Sequence, residues 1–284
     1  MKIVTAVVNN VDYIEIQYYT LKKYFKGDYE FIVFNDAKDF PDLTNNGDIS
    51  IKYNIIELCK NLNIKCINIP NDNHKINKDP AIRCADSMNY ILDYQKKNPD
   101  KYLILDSDMF LIDNFDINKY SNYDCAIVLQ NRNDSINYIW NGIYYFDMFK
   151  IKNNNMLNWN ISPHCDVGGM MQYWLKEQFV NVYIPTVNEL RWSDKNIIFH
   201  TNNIYFIKHL WSLSWDETEL PKNLKDKNLI EFLKNDHRNI GDKFFCEIYD
   251  DVFFHYRAGG NWRNEDYNLY KKSTLQLKNI LLLK

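Results

Sequence analysis

Short apolar segments alternate with amphipathic ones over the first 105 residues, and this alternation constrains the fold more than any other feature. The apolar segments are rich in β-branched residues, which favour strands, and cover residues 3–8, 30–34, 66–69 and 102–105. Between them lie three segments with apolar side chains at helical spacing, at residues 13–25, 50–61 and 80–97. This order predicts a parallel sheet with right-handed crossovers, and hence an α/β fold in which helices flank a mainly parallel central sheet.

The pattern becomes mixed beyond residue 112. Strands are predicted at residues 124–129, 143–147, 180–184 and 252–256, and helices at residues 169–178 and 265–283. No internal repeat and no Gly/Ser-rich linker separates the two regions. We therefore expect one domain over residues 1–284, with a parallel half at 1–112 and a smaller mixed half at 113–284.

Composition excludes several classes of partner. The net charge of −3 over 284 residues does not provide the basic surface that nucleic-acid binding needs. No apolar stretch approaches the roughly 20 residues that span a bilayer, and the apolar run at the N-terminus is too short for a secretory signal. The six cysteines lack a Cys-x-x-Cys pair, which is typical of free thiols in a reducing compartment. We therefore expect a cytoplasmic protein with no membrane span and no nucleic-acid partner.

Two carboxylates interrupt the apolar run of residues 102–112. Burying an unpaired carboxylate costs several kcal/mol, so Asp106 and Asp108 need a cation or strong donors nearby. Residues i and i+2 of an extended chain point to the same side, so both acids can face one ligand. Oxygen ligands without a thiolate suit Mg²⁺ or Mn²⁺. The triplet Asp106-Ser107-Asp108 therefore predicts a divalent-cation site at the end of a strand.

Further polar residues are expected at the same edge. Asn9 and Asp36 follow the first two predicted strands, and ligands of open α/β sheets bind at the carboxyl ends of strands. A helix that feeds a parallel strand runs antiparallel to it, so its first turns lie near that strand's carboxyl end. Arg83 and Asp86, early in the helix at residues 80–97, are therefore expected near the two acids.

Four blocks of the sequence resemble, in the same order, those of GT-A glycosyltransferases, most closely the glycogenin-like and galactosyltransferase-like members (family 8-type). The helix at residues 81–94 followed by Asp106-Ser107-Asp108 is similar to the helix and D-x-D block of that family. Residues 140–147 are similar to its Asn-x-Gly-type strand and residues 166–169 to its carboxylate loop. Residues 254–262 resemble its late His-x-x-Gly-x-x-Lys-Pro-Trp block.

The resemblance implies a GT-A (Rossmann-like) fold with a nucleotide-binding first half. It implies a hexosyltransferase that moves a sugar from a nucleotide sugar, with a UDP-sugar favoured, to a glycan, protein or small-molecule acceptor. The implied ligands of Mn²⁺ or Mg²⁺ are Asp108, His255 and Asp106, with ribose as the alternative contact of Asp106. The catalytic candidate is Asp166, which would bind sugar hydroxyls or act as a base if the enzyme inverts.

The resemblance also assigns donor contacts. Asn9 and Asp36 would hold base and ribose, and Arg83 and Asp86 would lie near the ribose or the donor sugar. The resemblance does not supply Arg257 and Arg263, which we expect to add charge-assisted hydrogen bonds to the phosphates. The remaining donor-binding candidates are Asn141, Gly142, Gly168 and Gly169. Two departures bear on this assignment, since Asn261 stands near the family's Lys and Val167 stands where retaining members have Gln. The stereochemistry of transfer is left open.

Several residues have a structural alternative. Asp166 could cap the helix at residues 169–178, and Arg83 could pair with Asp86 at i,i+3. Asn141-Gly142 also fits a type I′ turn. The histidines other than His255 show no ligand spacing and are predicted to be structural or surface residues.

Three alternative functions share parts of the pattern. A D-x-D phosphatase has its motif nearer the start of the sheet, and Phe110 stands where that motif needs Thr or Val. A sugar nucleotidyltransferase needs a Gly-rich loop after the first strand, where this chain has Asn9-Asn10-Val11-Asp12. A non-catalytic carbohydrate- or nucleotide-binding module is the third alternative, and the presence of both acids and His255 argues against lost chemistry.

Overall fold

The computed structural model describes residues 1–132, 136–179, 200–201, 203–222, 224–260 and 267–282. Its strands are β1 (Lys2–Val7), β2 (Phe25–Lys26), β3 (Glu30–Asn35), β4 (Lys65–Asn68), β5 (Lys101–Asp106), β6 (Met109–Leu111), β7 (Phe115–Asp116), β8 (Cys125–Arg132), β9 (Ile136–Asp147), β10 (His200–Thr201), β11 (Ile204–Phe206), β12 (His209–Leu210), β13 (Glu247–Tyr249) and β14 (Phe253–His255). Its α-helices are α1 (Val11–Tyr24), α2 (Ser50–Asn61), α3 (Pro80–Lys97), α4 (Asn118–Ser121), α5 (Met171–Gln178), α6 (Lys227–Lys234) and α7 (Tyr267–Leu282).

Within these ranges, eight strands form a central sheet in the order β10-β11-β8-β9-β5-β1-β3-β4. Four neighbouring pairs are parallel and three are antiparallel. The parallel block β5-β1-β3-β4 comes from the first 106 residues, as the alternation of segments predicted. The α/β class with a mostly parallel central sheet is therefore confirmed. Strands β8 and β9, from the second half of the chain, extend the same sheet beside β5.

Both faces of the sheet are buried by helices. Side chains alternate along a strand, so Ile3 and Leu103 pack into one core cluster while Val4 and Ile104 pack into the other. Helices α1, α2 and α7 cover the first face, and α3 and α5 cover the second. Burial on both faces explains why these strands read as continuous apolar runs, with the polar residues confined to their ends.

A smaller antiparallel sheet, β12-β13-β14-β6, joins the two halves of the chain. Strand β6 follows directly after Asp108, and β14 ends at His255. Their register places His255 opposite Met109, and the N–H of Tyr256 donates to the carbonyl of Asp108 at 2.8 Å. This pairing brings His255 beside a carboxylate 147 positions earlier in the chain.

The N-terminus of α3 has the cap that its sequence predicted. The Asp79 carboxylate accepts from the N–H groups of Ala81 at 2.8 Å and Ile82 at 3.3 Å, and Pro80 occupies the first helical position. The helix then covers the β5 side of the sheet, with Ala85 and Met88 in the core. Its first turns therefore lie at the edge of the sheet where β5 ends.

Three structural alternatives are not observed. Asn141 and Gly142 lie inside the twelve-residue strand β9 rather than in a type I′ turn. The N-cap position of α5 is Met170, so Asp166 does not cap that helix. Arg83 bonds to Asp42 rather than to Asp86. The predicted strand at residues 180–184 lies outside the described residues, and none of the described helices is long and apolar enough to cross a membrane.

Leu103→Ala is expected to lower the free energy of unfolding by about 2–5 kcal/mol, because a cavity would open in a close-packed core. Leu103 is fully buried in β5, between β1 and β9. The matched control is Leu275→Ala on α7, where the side chain is 58% exposed and the change should stay within about 0.5 kcal/mol. Urea denaturation measures both, and equal losses would contradict this placement of the core.

Candidate functional site

A cleft of about 490 Å³ opens at the carboxyl ends of β1, β3 and β5, a size that suits a small-molecule ligand. It is lined by nine of the residues that the sequence singled out: Asn9, Asp36, Arg83, Asp106, Asp108, Asn141, Asp166, His255 and Arg257. Asp86, Gly142, Gly168 and Gly169 are not among its lining residues. The cleft thus gathers side chains from both halves of the sequence at the edge that the strand pattern predicted.

Three potential metal ligands meet at the floor of the cleft. Asp106 ends β5, Asp108 precedes β6, and His255 ends β14. The three ligand atoms lie within 4.8 Å of one another. His255 Nε2 is 3.1 Å from Asp108 Oδ1 and 3.9 Å from Asp106 Oδ2. The side chains of Asp108 and His255 are almost fully buried, while 40% of the Asp106 side chain faces solvent.

A second layer of contacts orients these ligands. Glu247 on β13 lies 2.7 Å from His255 Nδ1, and the hydroxyl of Tyr249 donates to the same carboxylate at 2.7 Å. Proton donation from Nδ1 to Glu247 leaves Nε2 facing Asp108 as the ligand atom. Asp108 Oδ2 accepts from the N–H of Gly259 at 2.8 Å. Each buried ligand is therefore held by a neighbour before an ion arrives.

The charges in this cluster are tightly linked. Desolvation at the floor of the cleft and the adjacent Asp108 carboxylate raise the pKa of Asp106 to about 7. Burial lowers the pKa of His255, but Asp108 and Glu247 outweigh that effect and raise its pKa to about 10. Burial raises the pKa of Glu247, whereas its hydrogen bond to His255 brings it below the usual range. Without an ion, the His255 proton is therefore what offsets the negative charge of the acids.

This cluster fits a divalent cation. Two carboxylates and one imidazole supply three donors on one side of an ion, and the open side can take water or phosphate oxygens. The cluster contains no thiolate, which disfavours soft metals, and carboxylate oxygens favour Mg²⁺ or Mn²⁺. A bound dication would take over the role of the His255 proton in balancing the two acids.

The side chain of Asn9 connects two walls of the cleft. Asn9, directly after β1, donates through Nδ2 to the carbonyl of Thr44 at 2.8 Å and to that of Gly260 at 2.7 Å. Both amide protons are thus used, and Oδ1 remains as a hydrogen-bond acceptor. Asn9 therefore connects the segment after β3 to the loop that follows His255.

Asp36 lies below this wall in a buried network. Its carboxylate accepts from Lys38 Nζ at 2.7 Å, from Asn71 Nδ2 at 2.8 Å and from the Ser87 hydroxyl at 2.7 Å. Lys38 Nζ also lies 2.8 Å from His74 Nδ1. Burial lowers the pKa of Lys38, an effect opposed by its contact with Asp36. Asp36 is therefore held by three protein donors at the wall of the cleft.

Arg83 and Asp86 also have protein partners. The Arg83 guanidinium makes two parallel bonds to the Asp42 carboxylate, at 2.9 and 3.1 Å. Burial raises the pKa of Asp42, but Arg83 and Thr44 outweigh it and hold that pKa well below the usual range. Asp86 accepts from Asn73 at 2.8 Å and lies 3.3 Å from His74 Nε2. Arg83 thus shapes the cleft wall, while Asp86 supports His74 from outside the cleft.

Asp166, Gln130, Asn141 and Arg132 add further polar groups to the lining of the cleft. Asp166 is exposed, and its Oδ1 accepts from the N–H of Val167 at 2.8 Å. The Tyr138 hydroxyl donates to Gln130 on β8 at 2.6 Å, and Asn141 Nδ2 lies 3.5 Å from Cys84 Sγ. Polar groups of this kind suit a ligand rich in hydroxyls.

The three glycines act through packing. A Cβ at Gly142 would lie 2.1 Å from the Trp140 ring, and one at Gly169 would lie 2.6 Å from Cys165. Gly168 has a φ of +87°, and a Cβ there would lie 2.2 Å from the carbonyl of Ile139. Gly168 thus lets the 165–170 loop lie close against β9, while Gly142 makes room for the Trp140 ring and Gly169 lets its own loop turn tightly.

Arg257 lies beside the cluster of Asp106, Asp108 and His255. Its guanidinium lies 4.6 Å from the centre of the Phe245 ring, and its Nε is 3.9 Å from Glu247. Nη1 donates to the Ser212 hydroxyl. The predicted phosphate contact Arg263 and the departure at Asn261 both lie outside the described residues.

Several site residues had no sequence signal. Glu247 and Lys38 occur in segments without a motif. His74, predicted to be a structural or surface residue, is buried against Lys38. Only the register of β13 and β14 places Glu247 opposite His255. Ser87, four residues after Arg83, could have been found by extending the helical face of α3 that looks towards the cleft.

Comparison with known proteins gives a weak structural match. No protein-family model matches the chain, and no curated protein does. One similar solved structure is the galactosyltransferase LgtC in complex with donor and acceptor sugar analogs, with a TM-score of 0.37, 14% identity, and coverage of 53% of this chain and 59% of that one. An active-site mutant of LgtC matches with a TM-score of 0.37, 15% identity, and coverage of 53% and 58%. The chain thus spans less than two thirds of these structures, and its function must be inferred from the cleft.

Glu247→Gln is expected to weaken Mn²⁺ binding about 10–100-fold, because the neutral amide no longer stabilises the His255 orientation that a cation needs. Calorimetric titration of the ion-free protein with Mn²⁺ measures the change. Glu177→Gln, at an exposed position on α5, is the control and should bind Mn²⁺ as the unmodified chain does. Unchanged affinity in folded Glu247→Gln would contradict the role of this contact.

Mn²⁺ affinity is expected to rise with pH, because the ion competes with protons on its ligands. Below pH 7, Asp106 and His255 both carry protons in the ion-free state, since their pKa values are about 7 and about 10. Above the Asp106 pKa one proton remains, so affinity should rise about tenfold per pH unit. Calorimetric titrations in buffers of different ionisation enthalpy give the number of protons released when Mn²⁺ binds. Mn²⁺ binding that is independent of pH and releases no protons would contradict the assignment of Asp106 and His255 as ligands.

Proposed function

We propose that the chain is a metal-dependent glycosyltransferase that uses a nucleoside-diphosphate sugar, with a UDP-sugar as the favoured donor. The observation that carries this proposal is the cluster of Asp106, Asp108 and His255 at the floor of a cleft, next to the cation of Arg257. A dication and a guanidinium side by side suit a diphosphate, which carries negative charge on both phosphates. The polar groups of Asp166, Asn141 and Gln130 in the same cleft would take the sugar.

The groups that line the cleft suit the parts of such a donor. Asn9 and the wall stiffened by the Arg83–Asp42 pair would hold the nucleoside, since both protons of the Asn9 amide are used and its Oδ1 remains as an acceptor. Asp106, Asp108 and His255 would face the diphosphate together with Arg257, and Asp166, Asn141 and Gln130 line the same cleft. Nucleoside, diphosphate and sugar would therefore share one cleft.

In the proposed reaction, the bond between the sugar's anomeric carbon and the diphosphate oxygen breaks, and a bond to an acceptor hydroxyl oxygen forms. Bound Mn²⁺ or Mg²⁺ would act as a Lewis acid that offsets the charge growing on the departing diphosphate. Arg257 would donate charge-assisted hydrogen bonds to the same phosphates. Asp166 would accept hydrogen bonds from hydroxyl groups of the donor sugar. If the configuration at the anomeric carbon inverts, it would instead act as the base that takes the proton of the acceptor hydroxyl.

Asp108→Asn is expected to lower donor turnover at least about a hundredfold, because a metal ion contributes several kcal/mol to stabilising the leaving group. Asparagine keeps the size of the side chain and can still accept from Gly259, so the fold should persist. The control is Asp93→Asn, at an exposed position on α3.

The assay measures hydrolysis and transfer with a panel of UDP- and GDP-sugars plus Mn²⁺. Metal-dependent turnover by the unmodified chain and by Asp93→Asn, but not by Asp108→Asn, is the expected result. Full activity of Asp108→Asn would exclude the metal assignment. Tight UDP binding without any turnover across the panel would instead favour the non-catalytic binding module.

A further inference from the structure

We propose that Gln17, a residue of α1 that does not line the cleft, is a positioning residue that sets the geometry of the Asp106-Ser107-Asp108 turn. The inference rests on the proposed function, because it assigns a role in the metal site described above. It concerns the protein part of that site, which is present before an ion binds.

The geometry of the contact is specific to the turn. Gln17 is 1% exposed, and its Nε2 donates to the carbonyl of Asp106 at 2.7 Å and to that of Met109 at 3.0 Å. Asp106 is the last residue of β5 and Met109 the first of β6. One amide group thus spans the turn and fixes the distance between its two ends.

The two acids of the turn are held from different sides. Asp108 is tied to the β14 side through the N–H of Gly259 at 2.8 Å and through His255 Nε2 at 3.1 Å. The Asp106 carboxylate accepts only from its own neighbour, the N–H of Ser107 at 2.8 Å, among the hydrogen bonds of the described residues. The Asp106 main chain is held by its pairing with Ala6 of β1 and by the tie from Gln17, and only the Gln17 tie links it to the far end of the turn at Met109.

The energetics of Gln17 agree with a positioning role. Burying an amide group is unfavourable unless its hydrogen bonds are made. Oε1 of Gln17 is buried and finds no partner in the described part of the chain, so this half of the amide is a cost to stability. The other half donates to the main chain at both ends of the Asp106-Ser107-Asp108 turn.

The test compares two buried glutamines. Gln17→Met keeps the length of the side chain and removes the hydrogen-bond donor. The Mn²⁺ affinity of the ion-free protein should therefore fall at least about tenfold, which is the lower end of the loss seen when a contact that orients a metal ligand is removed. Gln95→Met is the matched control, because Gln95 is fully buried on α3 and does not line the cleft. Whatever its stability, Gln95→Met should bind Mn²⁺ as the unmodified chain does.

The outcomes separate this inference from the proposed function. If the unmodified chain does not bind Mn²⁺, the metal site itself falls. If the unmodified chain binds Mn²⁺, the metal site stands and the two variants decide the role of Gln17. The positioning role is overturned if folded Gln17→Met binds Mn²⁺ as well as the unmodified chain does. It is equally overturned if Gln95→Met weakens binding as much as Gln17→Met does. Should Gln17→Met not fold, Gln17→Asn decides, since its shorter amide cannot reach both carbonyls and should show the same loss of affinity.

Discussion

The antiparallel pairing of β6 with β14 is the interaction on which the site depends. It places His255 opposite Met109, and hence beside Asp108, although the two lie 147 residues apart in the chain. The same small sheet carries Glu247 on β13, which orients His255 from the opposite side. Without this pairing, the first half of the chain would present two carboxylates and no counter-charge. The central sheet thus provides the edge at which Asp106 lies, and the small sheet adds His255 and Glu247 beside it.

Much of the fold follows from the sequence because its signals are local. Apolar, β-branched runs bounded by polar residues located β1, β3 and β5, and Asp79-Pro80 located the start of α3 to within one residue. The convergence of Asn9, Asp36, Arg83 and Asp106 followed from strand polarity alone, and all four line the cleft. The assignment of a single domain stays a prediction, although strands of both halves share one sheet.

The rest of the site depends on contacts that periodicity does not encode. Nothing in the sequence around Lys38 or Asn71 shows that both bond to Asp36, since the loops that carry them follow different strands. Asp42 lies in a polar stretch without periodicity, yet it binds Arg83 through two hydrogen bonds. The Asn141-Gly142 pair has the local signature of a turn, but the residues on both sides of it pair with β5 and β8, so β9 continues through it at an irregularity in the register. Tertiary hydrogen bonds decide these positions.

The double contact of Asn9 has a consequence for how such a cleft can diversify. Its amide joins the carbonyl of Thr44, in the segment after β3, to that of Gly260, in the loop after His255. A substitution or insertion that shifts one of these cleft walls will therefore pull on the other, because a single rigid group spans both. The shapes of the two walls are thus mechanically coupled in this chain. Any redesign of the cleft has to treat residues 42–44 and 257–260 as one unit.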